Sequence, residues 1–266
     1  MKSSIIKVRD LTFKYNDKKI FDNLNLDIYE GSFITIFGRN ASGKTTLAKL
    51  LIGLYRGEGY INIDGYLLGD YFKDKIGRNF SFCLDEKNPF DTVSDSLAFS
   101  LESLQYTKKE IEILIKKYSQ IFKIENILDK LIDEISTSDK IKVNIASLLI
   151  HKPKIILLDN VLCKLNYNDK KLVIKILKDF QKENKLTIIL ITNDIQDTLL
   201  SDRIIVLDNG KILLDDTPKN IYQDDTVEKM GFELPFIVKL SHNLILYDLL
   251  DKVYLTDKGV LDKLWP

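Results

Sequence analysis

The stretch FITIFGRNASGKTTLAKLLIGL, residues 33–54, restricts the possible folds more than any other part of the chain. FITIF is a short apolar run of strand length, and it breaks at Gly38. Beyond the break, Leu47, Leu50, Leu51 and Leu54 recur at helical spacing. The order is therefore strand, Gly-rich loop, helix. The loop fits G-x-x-x-x-G-K-[ST] through Gly38, Gly43, Lys44 and Thr45. Chemistry explains that spacing: backbone N–H groups curl round phosphates, and a Cβ at either glycine would obstruct the curl. The lysine adds positive charge, the hydroxyl is a magnesium ligand, and the following helix aims its N-terminus at the anion. Gly38, Arg39, Asn40, Ala41, Ser42, Gly43, Lys44, Thr45 and Thr46 are thus candidate phosphate-binding residues. A chance match in a Gly-rich turn is the alternative, and the strand before and helix after count against it.

The rest of the chain fits an α/β fold. IIKVRDLTFKY alternates as a half-buried strand does, and GYINIDGYLL predicts a hairpin at Asp64-Gly65. From about residue 89 to 150 the pattern turns helical, with Ile111, Leu114, Ile115 and Tyr118 on one face. Strands return in KIILLD and LTIILIT, separated by an amphipathic helix carrying Leu172, Val173, Ile176, Leu177 and Phe180. RIIVLDNGKILLDD predicts a second hairpin at Asn209-Gly210, and a helical and irregular tail follows from about Thr226. Alternating strands and helices imply a mostly parallel sheet. An N-terminal antiparallel portion and a helical insertion complete the expected layout.

Two single residues complete the candidate site. Asp159 ends the strand KIILLD, where a carboxylate can hold magnesium; a surface Asp capping a helix is the alternative. Tyr15 ends the first strand and can stack on adenine, or simply pack. Composition removes other classes. With 39 basic and 39 acidic residues the formal net charge is zero, which argues against nucleic acid as a partner. The start shows no long apolar run of a signal peptide, and no uncharged run nears the roughly 18 residues of a membrane span. Two distant cysteines, Cys83 and Cys163, make no disulfide framework and read as small buried hydrophobes. The two histidines, His151 and His242, lack metal-type companions, and His151 is expected to be exposed and inert.

An aromatic strand end, a phosphate loop, a helical insertion and ISTSDKIKVNIASLLIHKPKIILLDN follow in that order. This resembles the ATP-binding domains of ABC transporters, whose pattern is L-S-G-G-Q, a helix with V-x-I-A, then P-x-x-L-[IL]-L-D-E-P. MGFELPFIVKLSHNL, YLTDKGVLDKLW and TVSDSLAFSLES are similar to segments of the ATPases of energy-coupling-factor (ECF) importers, which take up vitamins and metal ions. The resemblance implies an ABC ATP-binding domain over 1–225, with its helical insertion at about 89–150, and an ECF-like extension over 226–266. It implies ATP and Mg2+ as cofactors, with Thr45 and Asp159 on the metal. It implies a second ABC ATPase chain, identical or different, whose nucleotide would face Ser136. It also implies a transmembrane coupling subunit, a substrate-specific membrane subunit, and a peripheral place on the cytoplasmic face of a bacterial membrane.

The sequence departs from that pattern around the γ-phosphate. Asn160 stands where the catalytic Glu is expected, Val161 for the following proline, and Asn193 for the switch histidine. Asn166 replaces the D-loop acid, Thr137 and Ser138 replace the signature glycines, and no glutamine occurs from Phe80 to Phe90. Drift at each position is one explanation; loss of hydrolysis with binding retained is the other. Two functions therefore stand side by side: a transport motor with weak hydrolysis of its own, and a non-catalytic nucleotide clamp or sensor partnering another ABC ATPase.

Overall fold

The computed structural model describes residues 3–69, 77–84 and 90–265. Two sheets form. The first is antiparallel, in the order β2-β1-β4-β5, from β1 (Ser4–Tyr15), β2 (Lys18–Tyr29), β4 (Glu58–Ile63) and β5 (Tyr66–Leu67). The second has the order β10-β9-β3-β8-β7-β6, from β3 (Phe33–Phe37), β6 (Phe80–Cys83), β7 (Ile155–Asp159), β8 (Thr187–Thr192), β9 (Arg203–Asp208) and β10 (Lys211–Asp216). Its strands are parallel except β10, which pairs antiparallel with β9. Strands β3, β7 and β8 are buried along their whole length, as expected of strands covered on both faces.

Helix α1 (Lys44–Leu51) follows β3, and α5 (Tyr167–Asn184) follows β7. Helices α2 (Val93–Ser103), α3 (Lys108–Phe122) and α4 (Thr137–Leu149) make up the helical insertion. Thr92 and Thr107 each close a capping box, with Asp95 and Glu110, which fixes where α2 and α3 begin. After β10 come α6 (Pro218–Ile221), α7 (Thr226–Lys229), α8 (Phe236–Leu246) and α9 (Asp257–Leu264).

Three apolar clusters hold these layers. One joins the helical insertion and α5 to the parallel sheet through Tyr118, Phe122, Leu149 and Val173. A second lies between the two sheets and α1, with Phe21, Leu47, Leu50 and Ile189. The third seats the tail on the parallel sheet, with Phe37, Tyr222, Phe232 and Val238. Both predicted hairpins form, and their turn residues are left-handed: Asp64 and Gly65, then Asn209 and Gly210. Gly210 is obligatory, because a Cβ there would lie 1.7 Å from the Ile20 carbonyl oxygen.

Three expectations need correction. Helix α1 stops at Leu51, where the Gly53 N–H bonds the Leu50 carbonyl and the Leu54 N–H bonds the Lys49 carbonyl. That reversal leaves Leu54 exposed instead of on the helix's buried stripe. His151 is half-buried, with Nε2 3.1 Å from the Ser81 hydroxyl, and burial lowers its pKa. Cys83 is buried as expected, whereas Cys163 is exposed, its thiol 3.0 Å from the Asn160 carbonyl.

Candidate nucleotide-binding site

The parallel sheet sets the site. In register, Phe37 at the end of β3 sits beside Thr192 at the end of β8, and Asp159 of β7 sits beside Ile191. The loops leaving these strands therefore meet at one edge, the C-terminal ends of parallel strands where such sheets bind ligands. There a cleft of about 360 Å³ is lined by Tyr15, Lys18, Ile20, Asn40, Ala41, Gly43, Lys44, Thr45, Thr46, Asn160 and Asn193. Residues 153 positions apart in sequence are brought into contact. The Asn193 amide donates to the Asn40 side-chain oxygen at 2.8 Å.

The loop is built for an anion. Gly38 packs against β9 so closely that a Cβ would fall 2.0 Å from the Leu207 carbonyl oxygen. Gly43 takes φ 108, and a Cβ there would meet the Phe21 ring at 3.0 Å. Gly43 caps α1 without a side chain, and no acidic residue occupies the first turn. The other long helices of the insertion and α5 start on a Thr, Ser or Asn side chain. The first N–H groups of α1 are thus left for a ligand. Ala41 is also left-handed, at φ 62, a backbone setting that favours glycine.

Lys44 is 5 % exposed. Its ammonium donates to the Gly38 and Arg39 carbonyls at 2.8 and 2.7 Å, so it bridges the loop from inside. Burial pushes its pKa down to about 8, against the pull of Asp159 and Asp208. A buried cation with so few opposite charges is suited to receive phosphate oxygens. Asp159 is 3 % exposed and Thr45 is exposed beside the cleft. One buried carboxylate and one hydroxyl are hard oxygen donors of the kind Mg2+ uses when phosphates and water supply its remaining ligands. Among the described residues no cluster of three His, Cys, Asp or Glu forms a complete metal cage.

Tyr15 is 40 % exposed at the cleft mouth. Its hydroxyl lies 3.3 Å from that of Thr46, and its ring meets Phe13 and Tyr55 edge-on at 5.0 and 5.5 Å. Asn160 is left-handed at φ 52; its amide donates to Asp159 Oδ1 at 3.1 Å, and its N–H donates to the Ile191 carbonyl at 2.9 Å. An amide here can orient water but cannot take its proton.

Five named residues lie outside the cleft lining: Gly38, Arg39, Ser42, Ser136 and Asp159. Gly38 is packed on β9, and Asp159 is buried at the end of β7. Ser42 is buried behind the loop, its N–H bonded to the Arg39 carbonyl. Arg39 points its guanidinium away, onto the tail carbonyls of Met230 and Gly231. Ser136 is on another surface, where it caps α4 by accepting from the Asp139 N–H and donating to its carboxylate. The stretch Phe80–Phe90, where the family pattern leads one to expect a sensing glutamine, falls partly outside the described residues, which omit 85–89.

Sequence reasoning missed a polar network around Ser136. The Ser138 hydroxyl donates to Asp169 at 2.6 Å and accepts from the N–H and the amide of Asn166. Lys142, only 7 % exposed, pairs with both Asp139 and Asp169. The next residue, Lys170, pairs with Asp194 and Asp197 beyond Asn193. The first turn of α5 therefore touches both the α4 start and the loop after β8. The charges at 169 and 170 gave no signal of this, because their partners lie far off in sequence.

The family model for ABC transporters matches residues 21–162, more than half of the chain. This protein is an ABC transporter ATPase. It is 36% identical over 254 residues to the energy-coupling factor transporter ATP-binding protein EcfA of Pediococcus pentosaceus, covering 91% of this chain and 90% of that one. Its fold matches a solved structure of cbiO1 from Clostridium perfringens, part of the ABC transporter complex cbiONQ. There the TM-score is 0.76 at 25% identity, covering 91% of this chain and 100% of that one. A dimeric bacterial ABC transporter cassette gives a TM-score of 0.73 at 25% identity, over 80% of this chain and 98% of that one. The ABC ATPase thus sits in the ECF group of ATP-binding subunits. No helix among the described residues is long and apolar enough to cross a membrane.

Proposed function

We propose that this ABC ATPase binds MgATP in the cleft, hydrolyses it slowly, and drives uptake of a vitamin or metal ion through ECF-type membrane partners. The observation that carries the reading is the loop itself. A buried ammonium, an uncapped helix N-terminus and a buried carboxylate converge at one end of the sheet. The amides of Gly38–Thr46 and Lys44 hold phosphates, Thr45 and Asp159 hold Mg2+, and Tyr15 stacks on adenine. Bound Mg2+ supplies charge neutralisation at the phosphates. Asn160 and Asn193 place water and phosphate without moving a proton. Losing a general base forfeits about 10²–10⁴ in rate, or about 3–5 kcal/mol of barrier.

The relatives' names and the dimeric neighbour support pairing with a second ABC chain, Ser136 facing that chain's nucleotide. Residues 226–266 serve as the ECF-like extension, and the assembly works on the cytoplasmic face of the membrane with a coupling subunit and a substrate-specific subunit. In a mixed pair, each composite site carries one defect: this loop lacks the base, and the partner's loop faces Ser136-Thr137-Ser138. Such a pair turns over slowly at the partner's loop, and a homodimer is close to inactive.

The test is phosphate release from MgATP by the purified chain, alone and with its co-expressed partner, with Lys44→Ala as the blank. Turnover confined to the pair supports the proposal. Turnover by the chain alone, well above the blank, refutes the role given to Asn160. Binding without turnover in either sample favours the second reading, a nucleotide clamp or sensor, for which the Asn193–Asn40 bond and the Asn160 amide held on the Asp159 carboxylate speak.

A further inference from the structure

Arg39 is the loop residue whose side chain turns to the tail. Its Nη2 donates to the Gly231 carbonyl at 2.9 Å and to the Met230 carbonyl at 3.2 Å. The guanidinium carbon lies 5.0 Å from the centre of the Phe232 ring. Phe232 in turn packs on Phe37, the residue before Gly38, with ring centres 5.5 Å apart. Gly231 is left-handed, and a Cβ there would lie 2.7 Å from Arg39 Nη2, so the tail approaches as closely as its backbone allows. Three consecutive tail residues therefore hold one loop residue.

The main chain of Arg39 is tied to the phosphate-binding group. Its carbonyl accepts from Lys44 Nζ at 2.7 Å and from the Ser42 N–H at 3.2 Å. Phosphate oxygens compete for the Lys44 protons now given to the Gly38 and Arg39 carbonyls. When they do, the Arg39 carbonyl loses a charged donor, and the side-chain clamp is what keeps that residue in register. A loop fixed before its ligand arrives loses less entropy on binding. Charge-assisted bonds are strong enough to matter in that balance.

We infer that Met230–Phe232 of the tail position the phosphate loop through Arg39, so that the C-terminal segment sets nucleotide affinity and registers nucleotide arrival. Arg39 is a positioning residue here. The inference rests on reading the loop as the MgATP site. It ties the part of the chain outside the ATP-binding core to the occupancy of that core.

The experiment uses the full chain in four forms: wild type, Arg39→Ala, Arg39→Lys and Phe232→Leu. MgATP affinity is measured by titration, and hydrogen exchange of residues 226–246 is followed with and without MgATP. Arg39→Ala weakens affinity by about three- to tenfold, on the scale of the net worth of one ordinary hydrogen bond. Arg39→Lys restores part of it, and Phe232→Leu weakens it less. MgATP slows exchange in the wild-type tail and leaves it unchanged in Arg39→Ala. A role confined to bracing the tail would change exchange in both nucleotide states alike and leave affinity intact. Should Arg39→Ala not fold, the Lys and Phe232 variants carry the comparison. Wild-type binding with unchanged affinity in the variants, or with nucleotide-insensitive tail exchange, overturns this inference alone. A wild type that binds no MgATP overturns the proposed function as well.

Discussion

Replacing Lys44 by Met should make the nucleotide-free protein more stable and the MgATP-loaded protein less stable. Lys44 has its pKa driven from 10.5 to about 8 by burial. At about 1.36 kcal/mol per pKa unit, the charged form is disfavoured by at most about 3 kcal/mol. Its ammonium borders the open cleft, and screening there lowers this to about 1–2 kcal/mol. Met matches the aliphatic stem but leaves the Gly38 and Arg39 carbonyls to cleft water. The net gain expected without nucleotide is about 1 kcal/mol, or a rise in Tm of about 2–4 °C for a chain of this size. With MgATP at about 100 times its Kd, the wild type gains about 2.7 kcal/mol that the variant does not, so the order of the two melts inverts. The pH dependence has a definite sign. A lysine with a lowered folded pKa holds its proton in the unfolded chain while the folded chain releases it between about 8 and 10.5, so its penalty is full below about pH 8 and fades towards about pH 10.5. Paired thermal melts from about pH 7 to about pH 10 should show the gap between variant and wild type closing. A Met variant that melts below the wild type without nucleotide, or a gap that widens with pH, would refute the reasoning.

Asn160→Glu, assayed for phosphate release in the presence of the partner chain, should raise turnover at least about tenfold. A base is worth about 10²–10⁴, and the left-handed backbone at φ 52 costs a Glu part of that; no rise would sink the assignment of Asn160 to the base position. Ala41→Gly relieves a left-handed residue in the loop and should raise Tm by the equivalent of about 1 kcal/mol with MgATP binding retained; a lower Tm contradicts this. Burial works against ionisation of Asp169, yet bonds from Ser138, Lys142 and Asn166 hold its carboxyl below the usual range. Its stabilising effect is present above the unfolded value near pH 4 and is lost as pH falls through the lower folded value. Asp169→Asn should therefore cost about 1–3 kcal/mol near neutral pH, with the deficit shrinking in acid denaturation melts at about pH 3; a constant deficit would be the contrary result.

The parallel core was legible because its strands are short apolar runs and its helices carry 3.6-residue stripes. The hairpins were legible because Asp64-Gly65 and Asn209-Gly210 supply the left-handed pairs that tight turns need. The loop's composition revealed the cleft, since few residue types satisfy a phosphate curl followed by a helix. What escaped notice depends on long-range pairing. Nothing in GRNASGKT says that Arg39 turns to Met230 and Gly231, because those partners are backbone atoms with no sequence signature. The Ser138–Asp169 bond and the Lys170 pairs link elements about 30 residues apart. The early end of α1 depends on Gly53 at φ 74, a turn signal outweighed in the sequence by the continuing leucine pattern.

The positions that depart from the ABC pattern are built into the structure together. The resemblance to the ABC pattern sets Ser138 against a glycine and Asn166 against an acid, and the Asn166 amide donates both to the Ser138 hydroxyl at 3.2 Å and to Asp169 Oδ2 at 2.6 Å. A glycine at 138 has no oxygen to offer this network. An aspartate at 166 would set a second carboxylate against Asp169, where like charges repel. The serine and the asparagine therefore suit each other, and Lys142 beneath them neutralises the acidic pair at 139 and 169. Independent decay at two sites has no tendency to produce a matched donor and acceptor. The same chain keeps its glycines at 38 and 43, where a Cβ would strike the Leu207 carbonyl or the Phe21 ring. On the proposed function, the loop keeps the glycines that phosphate binding needs, and the surface assigned to a partner's nucleotide is occupied by internal hydrogen bonds. That combination is what a chain needs if it holds nucleotide steadily while its partner's loop carries the turnover.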